Sequence, residues 1–237
     1  MIFIDRPPNP LEAQLLFWTL FFIASIIFFF FFRFWFFFRN PERKIAEGNN
    51  IVSPADGYVI YIKEIKDNEV PISIKKGQKI TLNELVDDDD AYTLVIGIFM
   101  TPFSVHYNRY PFSGKVEKIH YRSKPQNFVM TRCFLNMVFG FKPYERDCLF
   151  MLENERNTTV IKSDDVDCAV VQIADKWVNK IKNNCKTGDF VIKGERLGLI
   201  KMGSQCDIYL KIKRNYEIKV KERDYVKAGS KVLIELL

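Results

Sequence analysis

A stretch of 18 residues without a charge, from 15 to 32, is the feature that most constrains what this chain can fold into. Only Thr19 and Ser25 are polar in it, and both hydroxyls can bond back to a carbonyl one helical turn earlier. A helix needs about 20 apolar residues to span a bilayer, and a second apolar run extends from 34 to 38. The sequence therefore predicts a membrane anchor over residues 1–39, followed by a separate domain over 40–237.

Basic residues follow the apolar core of this anchor: Arg33, Arg39, Arg43 and Lys44. By the positive-inside rule, they predict that the domain after the anchor lies on the cytoplasmic side. The acidic residues before the run and the lack of a small-residue cleavage site after it argue against a signal peptide. A single span, a shallow hairpin and a helix lying in the membrane plane all stay open.

Charge and cysteine usage restrict the function of the domain. Beyond residue 40 the net charge is +5, which is too small for a typical nucleic-acid-binding protein but suits an anionic membrane surface. The cysteines are five in number and no two have the CxxC spacing, which argues against a disulfide framework and a zinc site. The acidic run at 87–90 is typical of a solvated loop, so we predict no metal.

Short alternating or apolar runs separated by turn signals predict a mainly β (α+β) domain with a barrel-sandwich-like core. The predicted strands are 58–65, 92–100, 114–121, 158–161, 168–173, 197–202, 207–212, 218–220 and 231–236. Two segments, 81–86 and 174–183, have patterns that favour helices.

Four local motifs hold residue types suited to chemistry. They are Ser53-Pro54-Ala55-Asp56-Gly57, the stretch from Ile98 to Pro111 with His106, Gly194-Glu195-Arg196-Leu197-Gly198, and Met202-Gly203-Ser204. Each alone is typical of something ordinary: an Asx-turn, a structural histidine at a strand end, or a turn between strands. Their order along one chain is far more specific than any one of them.

In that order and wording, the chain resembles the phosphatidylserine decarboxylase family in its short form, from about residue 39 to the C-terminus. The matching residues include Arg39-Asn40-Pro41-Glu42-Arg43, Ser53-Pro54-Ala55-Asp56-Gly57, Val105-His106, Asn108-Arg109, Asn154-Glu155-Arg156-Asn157, Gln172-Ile173-Ala174, Gly194-Glu195-Arg196-Leu197-Gly198, Gly203-Ser204 and Asp207-Ile208-Tyr209-Leu210.

The resemblance implies a proenzyme that cuts itself between Gly203 and Ser204. Ser204 Oγ would attack the Gly203 carbonyl, and the resulting ester would resolve to leave a pyruvoyl group at residue 204. The products would be two associated chains, 1–203 and 204–237. The pyruvoyl carbonyl would withdraw electrons while CO2 leaves, as pyridoxal phosphate does elsewhere.

Four further residues are candidates for roles, His106 and Asp56 by the resemblance, and Asn108 and Arg109 because they stand close to His106 in the sequence. His106 would be the proton donor, and its ordinary pKa suits that role near neutral pH. Asp56 would belong to the self-cleavage apparatus. Arg109 stands where long-form relatives have a second histidine linked to self-cleavage, and arginine is a poor base, so either His106 or Asp56 would serve there. Asn108 and Arg109 are candidates for contact with the substrate phosphate.

The function expected from the resemblance is conversion of phosphatidylserine to phosphatidylethanolamine and CO2 in a membrane. A homodimer is one of the assemblies left open. An archaetidylserine-type lipid would present the same serine headgroup to the same site. Two other classes stay open: a membrane-tethered barrel-sandwich binding module without chemistry, and a serine hydrolase using Ser204. A carrier module needs a modifiable lysine at a hairpin tip, and no clear Met-Lys-Met-like tip is present. A serine hydrolase ordinarily has a Gly-x-Ser-x-Gly elbow, which is absent.

Overall fold

The fold was analysed in a computed structural model, which describes residues 9–72, 80–86, 90–176, 181–201 and 204–237. Two compact units divide the chain, residues 1–39 and residues 40–237. The first contains the long apolar helix, and the second contains the strands and the remaining described helices.

The apolar segment is helical, with α1 at Pro10–Phe30 and a π-helical stretch at Phe31–Phe36. Asn9 and Glu12 form a capping box that satisfies free amides of the first turn. The hydroxyls of Thr19 and Ser25 bond back to carbonyls four residues earlier, as the sequence predicts. In the part of the chain that the structure describes, Pro10–Phe36 is the one helix long and apolar enough to cross a membrane.

The second unit is built mainly from short antiparallel strands. In chain order the described strands are β1 Asn50–Val52, β2 Gly57–Glu64, β3 Glu69–Val70, β4 Ile80–Thr81, β5 Leu94–Met100, β6 Tyr107–Arg109, β7 Gly114–Arg122, β8 Arg156–Lys162, β9 Val166–Ala174, β10 Ile181–Asn183, β11 Phe190–Val191, β12 Arg196–Ile200, β13 Ser204–Ile212, β14 Tyr216–Ile218, β15 Tyr225–Val226 and β16 Val232–Leu236. The helices of this unit are α2 Leu82–Val86, α3 Thr131–Phe139 and α4 Phe150–Glu153.

Eight strands form the main sheet, in the order β11-β7-β8-β9-β13-β5-β2-β15. Strand β13 lies in its interior and pairs along its length with β5 on one side and β9 on the other. Every residue from Ser204 to Leu210 is buried. Because both edges of β13 are hydrogen-bonded, its position is fixed from two directions.

The two faces of the main sheet bury different clusters, because successive side chains of a strand point to opposite faces. One cluster takes Ile208 and Leu210 of β13 together with residues of the sheets β1-β16-β14 and β10-β12-β6. The other takes Tyr209 together with residues of α2, α3, α4 and the β3–β4 hairpin. We call these the sheet-covered face and the helix-covered face.

The predicted mainly β fold class with an N-terminal apolar helix is confirmed. Predicted strands at 58–65, 92–100, 114–121, 158–161, 168–173, 207–212 and 231–236 correspond to β2, β5, β7, β8, β9, β13 and β16. The helix predicted at 81–86 is confirmed as α2. The strand predicted at 197–202 corresponds to β12, which ends at Ile200. The strand predicted at 218–220 overlaps β14 only at Ile218.

The helix predicted at 174–183 is wrong in its described part. Ala174 ends β9, Ile181–Asn183 forms β10, and residues 177–180 lie outside the described residues. The helical spacing of apolar residues there was overridden by strand pairing with β13 and β12. Most of the acidic run, residues 87–89, and Gly203 also lie outside the described residues.

Candidate active site

Ser204 is the first residue of β13 and is fully buried. Its backbone pairs with Met100 of β5 and with Ala174 of β9. Its Oγ donates a hydrogen bond to Met100 Sδ at 3.1 Å. The hydroxyl therefore points into the sheet-covered face at the start of a strand that is fixed on both sides.

His106 lies in the segment between β5 and β6 and is also fully buried. The amide of Ile200, the last residue of β12, donates to the His106 carbonyl at 3.3 Å. Met100, six positions before His106, pairs with Ser204. A single short segment, 100–106, therefore contacts the chain both shortly before and shortly after the predicted cleavage bond.

Asp56 is buried in the turn that leads into β2, and each of its carboxylate oxygens accepts a hydrogen bond. Arg43 Nη2 donates to Oδ2 at 2.6 Å, and the amide of Ala228 donates to Oδ1 at 2.7 Å. The same turn reaches the His106 segment, because the amide of Arg109 donates to the Pro54 carbonyl at 2.9 Å. Asp56 is thus a paired carboxylate close in structure to the loop with His106.

Asn108 is a buried junction beside the candidate serine. Its Nδ2 donates to the Pro54 carbonyl at 3.3 Å and lies 3.7 Å from Met100 Sδ. Its Oδ1 accepts from Gln172 Nε2 at 2.8 Å. Gln172 in turn accepts from Asn157 Nδ2 at 3.1 Å. The amides link the Asp56 turn, the strand next to Ser204 and the interior of β9 in one network.

Arg109 points in the other direction from the same strand and is half-buried. Its Nη1 donates to the carbonyl of Gly194 at 2.7 Å. Burial lowers its pKa, and the nearby charges of Arg196 and Arg43 lower it further. The prediction that Asn108 and Arg109 contact a substrate phosphate stays a prediction, since Asn108 is engaged inside the protein and Arg109 holds a turn.

Two glycines of the third candidate motif, Gly194 and Gly198, are needed where they stand. Gly194 has a φ of +84°, in the left-handed region that favours glycine. A Cβ on Gly198 would come within 2.2 Å of the Lys182 carbonyl and 3.2 Å of Gln172 Nε2. Glycine at these positions lets β12 turn and then pass close to the amide network.

A second polar cluster lies on the helix-covered face and was not predicted. Tyr61 and Gln205 donate to the two carboxylate oxygens of Asp207, each at 2.8 Å. Burial raises the pKa of Asp207 to about 7, although these hydrogen bonds and Arg156 oppose the shift. The strict alternation along β13 was the available signal, since a buried Ser204 places Gln205 and Asp207 on the opposite face.

Comparison with known proteins assigns the sequence to a family. The family model for phosphatidylserine decarboxylase matches residues 30–234, most of the chain. The chain belongs to the phosphatidylserine decarboxylase family. The resemblance found in the sequence is thereby confirmed, and membership makes the chain a carboxy-lyase.

Curated members of the phosphatidylserine decarboxylase family align over most of both chains. A protein of Methanocaldococcus jannaschii, named as an archaetidylserine decarboxylase proenzyme, is 35% identical over 198 residues, which cover 83% of this chain and 86% of the relative. Phosphatidylserine decarboxylase proenzymes of Amoebophilus asiaticus and Geotalea uraniireducens are each 33% identical, over 84% and 92% of this chain and 73% and 85% of the relatives. The names of these relatives cover two lipid backbones.

Proposed function

We propose that this chain cleaves itself between Gly203 and Ser204, converts Ser204 into a pyruvoyl group and decarboxylates phosphatidylserine to phosphatidylethanolamine. The observation that carries the proposal is the position of Ser204, buried at the first residue of a strand that is paired on both sides. A new chain end at residue 204 would stay in place after the cut. The two products, 1–203 and 204–237, would remain one folded unit.

Self-cleavage begins with attack of Ser204 Oγ on the Gly203 carbonyl, which transfers the acyl group from nitrogen to oxygen. Loss of the Ser204 α-proton then expels the Gly203 carboxylate, and addition of water with release of ammonia leaves the ketone. A serine hydroxyl needs a base to become a competent nucleophile. We assign that proton transfer to His106, because both oxygens of Asp56 already accept hydrogen bonds.

Asp56 would then act through the positions it holds. Its bonds to Arg43 and Ala228 connect the segment after the apolar helix, the turn before β2 and the C-terminal strands. Because the turn is also bonded to the strand next to His106, loss of the carboxylate would misplace that histidine. A displacement of about 1 Å can cost on the order of 100-fold in rate.

The buried start of β13 suits a pyruvoyl group, because Ser204 opens onto a face lined by neutral polar side chains, Asn108 and Gln172. The group supplies a carbonyl that withdraws electrons from the substrate while CO2 leaves. His106 would return a proton to the carbon that carried the carboxylate. Burial of both residues keeps bulk water from the reacting atoms.

The lipid backbone is the finer part of the proposal. Phosphatidylserine is the first choice, and the relative from Methanocaldococcus jannaschii favours archaetidylserine as the second. Both carry the serine headgroup at which the bond breaks. The helix Pro10–Phe36 would anchor the protein, and Arg33, Arg43 and Lys44 favour a cytoplasmic domain. A homodimer is compatible with all of this.

The test is the intact mass of the full-length protein, purified in detergent and denatured, beside Ser204→Ala. The wild type should yield two chains divided at residues 203 and 204, with a blocked N-terminus on the shorter one. Ser204→Ala should stay a single chain without decarboxylase activity. Assays of the cut enzyme on diacyl and diether serine lipids then separate the two backbones.

Ser104→Ala is the matched control, since Ser104 is a fully buried serine in the His106 segment. It should still be cut, because its hydroxyl bonds the Thr101 turn and Tyr225 and so holds the loop in place. An uncut wild type in the presence of membranes, or cleavage of Ser204→Ala at the same bond, would contradict the proposed chemistry.

A further inference from the structure

Helix α3 and its flanks expose an apolar surface where a surface helix ordinarily exposes polar residues. The helix buries Cys133, Asn136 and Met137 against the domain. On the other side stand apolar side chains that are between 41% and 64% exposed. These form the α3 surface, defined as Phe128, Val129, Leu135, Val138, Phe139 and Phe141. Clustered exposed apolar residues of this kind mark binding surfaces.

The α3 surface is presented by a well-anchored backbone. The buried side chain of Asn136 donates to the carbonyls of Tyr144 and Arg146, at 3.0 and 3.1 Å. Gly140, with a φ of +75°, ends the helix in the left-handed conformation. Phe139 and Phe141 flank that turn with ring centroids 5.9 Å apart. The exposure of these rings is therefore a property of a fixed structure.

Basic side chains accompany the apolar ones. Arg132, Lys142 and Arg146 line a cleft of about 510 Å³ together with Leu135, Phe139 and Phe141. Arg132 and Lys142 make exposed ion pairs with Asp147 and Glu222, at 3.3 and 2.8 Å. Exposed pairs are worth about 0–1 kcal/mol, so lipid phosphates can compete for these cations. Aromatic and basic residues together are typical of contact with an anionic membrane interface.

The α3 surface is joined to the end of the main sheet at which Ser204 lies. Asn154 Nδ2 donates both to the Phe128 carbonyl, at 2.8 Å, and to the Ala174 carbonyl, at 2.7 Å. Ala174 is the register partner of Ser204. On the opposite side, Phe103 is 68% exposed in the segment between Met100 and His106. Exposed aromatic residues therefore lie on both sides of the candidate active site.

We propose that the α3 surface inserts into the interface of an anionic lipid bilayer, with Arg132, Lys142 and Arg146 at the level of the phosphates. Resting on the proposed function, we further infer that the serine lipid passes from the bilayer to Ser204 along this surface. Phe128 comes last on that path, because its backbone is bonded to Asn154, which also bonds the Ala174 carbonyl of β9 beside Ser204.

The first experiment measures insertion without using the reaction. Full-length Phe139→Cys is labelled with an environment-sensitive fluorophore and reconstituted in phosphatidylcholine vesicles with or without phosphatidylglycerol. Spin labels on the lipid acyl chains quench a fluorophore that enters the bilayer. Phe190→Cys is the control, because Phe190 is 73% exposed on the edge strand β11, and labelled wild type gives the background.

The label at residue 139 should be quenched several-fold more than the label at 190, with a further increase when phosphatidylglycerol is added. Equal quenching at the two positions would overturn the proposal. The proposal would also be overturned if the fluorophore at residue 139 became shielded from solvent as protein concentration rose, independently of lipid. A second copy of the chain would then cover the surface. Neither lipid has a serine headgroup, so this result stands whether or not the chain is a decarboxylase.

The second experiment tests the path to Ser204. The double variant Phe139→Ser and Phe141→Ser should raise KM for phosphatidylserine in vesicles about 10-fold, relative to a soluble short-chain phosphatidylserine. Phe190→Ser should leave that ratio unchanged. Complete self-cleavage in both variants shows that they fold. An unchanged ratio in the double variant would contradict the path even if insertion is observed.

Discussion

The sheet-covered and helix-covered faces of β13 differ in the kind of polar group that they bury. Beside Ser204, on the sheet-covered face, the polar groups are neutral amides, Asn108 and Gln172. On the helix-covered face they include an ionisable pair, Asp207 and Tyr61, beside the amide of Gln205. One residue along the strand separates the two environments.

With the reaction assigned to Ser204 as proposed, a strongly shifted pKa does not by itself mark the site of reaction. Burial raises the pKa of Asp207 to about 7, a change that in other proteins identifies catalytic acids. Here that carboxyl lies on the face opposite to the Ser204 hydroxyl, in a hydrophobic cluster under three helices. We infer that the helix-covered face holds the domain together, whereas the sheet-covered face performs the chemistry.

The largest effect on stability is expected for Arg156→Met. Arg156 is fully buried, and it donates to the Met151 carbonyl at 3.0 Å and to the Glu84 carbonyl, so it joins α4 and the end of α2 to the sheet. Losing both bonds leaves the buried Met151 carbonyl and the part-buried Glu84 carbonyl without this donor, and it should lower the free energy of unfolding by about 3–5 kcal/mol. Urea denaturation of the uncut Ser204→Ala protein in detergent, followed by near-ultraviolet circular dichroism, measures the change.

Arg214→Met is the matched control, because Arg214 makes an exposed ion pair with Asp165 at 3.1 Å. Its loss should cost no more than about 1 kcal/mol. Equal effects of the two substitutions on the free energy of unfolding would contradict the inference that the helix-covered face stabilises the domain.

The next effect depends on pH and is expected for Asp207→Asn. Because the pKa of Asp207 is raised from 3.8 to about 7 by burial, the folded chain holds this proton more tightly than the unfolded chain. The carboxyl therefore does not lower the free energy of unfolding below about pH 4. It lowers that free energy progressively as the pH rises to 7, and by its full amount above 7. Asparagine should raise the free energy of unfolding at pH 8 by up to about 4 kcal/mol.

Unfolding curves of Asp207→Asn and of its parent at several pH values check this sign. The difference between the two should vanish near pH 4 and grow with pH. Asp165→Asn, which removes only an exposed ion pair, is the control and should change the free energy of unfolding by no more than about 1 kcal/mol. A variant that is less stable than its parent at pH 8 would show that the charged Asp207 stabilises the fold.

The smallest effect on stability, and the sharpest on function, is expected for Gln172→Leu. Leucine leaves Asn108 Oδ1 and Asn157 Nδ2 without their amide partner, at a cost of about 1–3 kcal/mol. Since Asn108 holds the segment next to His106, self-cleavage should slow by at least about 10-fold. Pulse-labelled synthesis followed by gel separation of the two chains measures the rate.

Gln205→Leu is the matched control on the other face, where Gln205 donates to Tyr61 and Asp207. It should cost similar stability while cleavage proceeds at the normal rate. Equal slowing by the two leucines would break the distinction between the faces.

The sequence predicts the strands well where one face or both are buried. Strand β5, predicted at 92–100, is buried at every position. Helix α3 was not predicted, because its residues Thr131–Phe139 are mostly apolar and a polar one, Asn136, is among those it buries, so the apolar residues do not mark the buried side. The wrong helix at 174–183 has a different cause, since the spacing suggested a helix there but pairing with the neighbouring strands decided the structure.

The site was predictable where a short motif carries the residue. Ser204, His106 and Asp56 lie in recognisable sequence motifs, and their roles stay predictions until cleavage is measured. The contacts between Asn108 and Gln172, and between Tyr61 and Asp207, join residues 64 and 146 positions apart. Pairings over such distances arise from the register of the sheet, which no local pattern in the sequence specifies.

The pairing of β13 on both sides has a consequence for the order in which folding and cleavage can occur. While β13 is still covalently linked to β12, it can pair with β5 and β9 as the sheet forms. A separate fragment 204–237 would have to insert between these two strands, each of which is already paired with another strand. On the proposed self-cleavage, assembly therefore comes first and scission second. Once cut, the mature protein would be protected by its slow opening alone, and a molecule that came apart would have no route back.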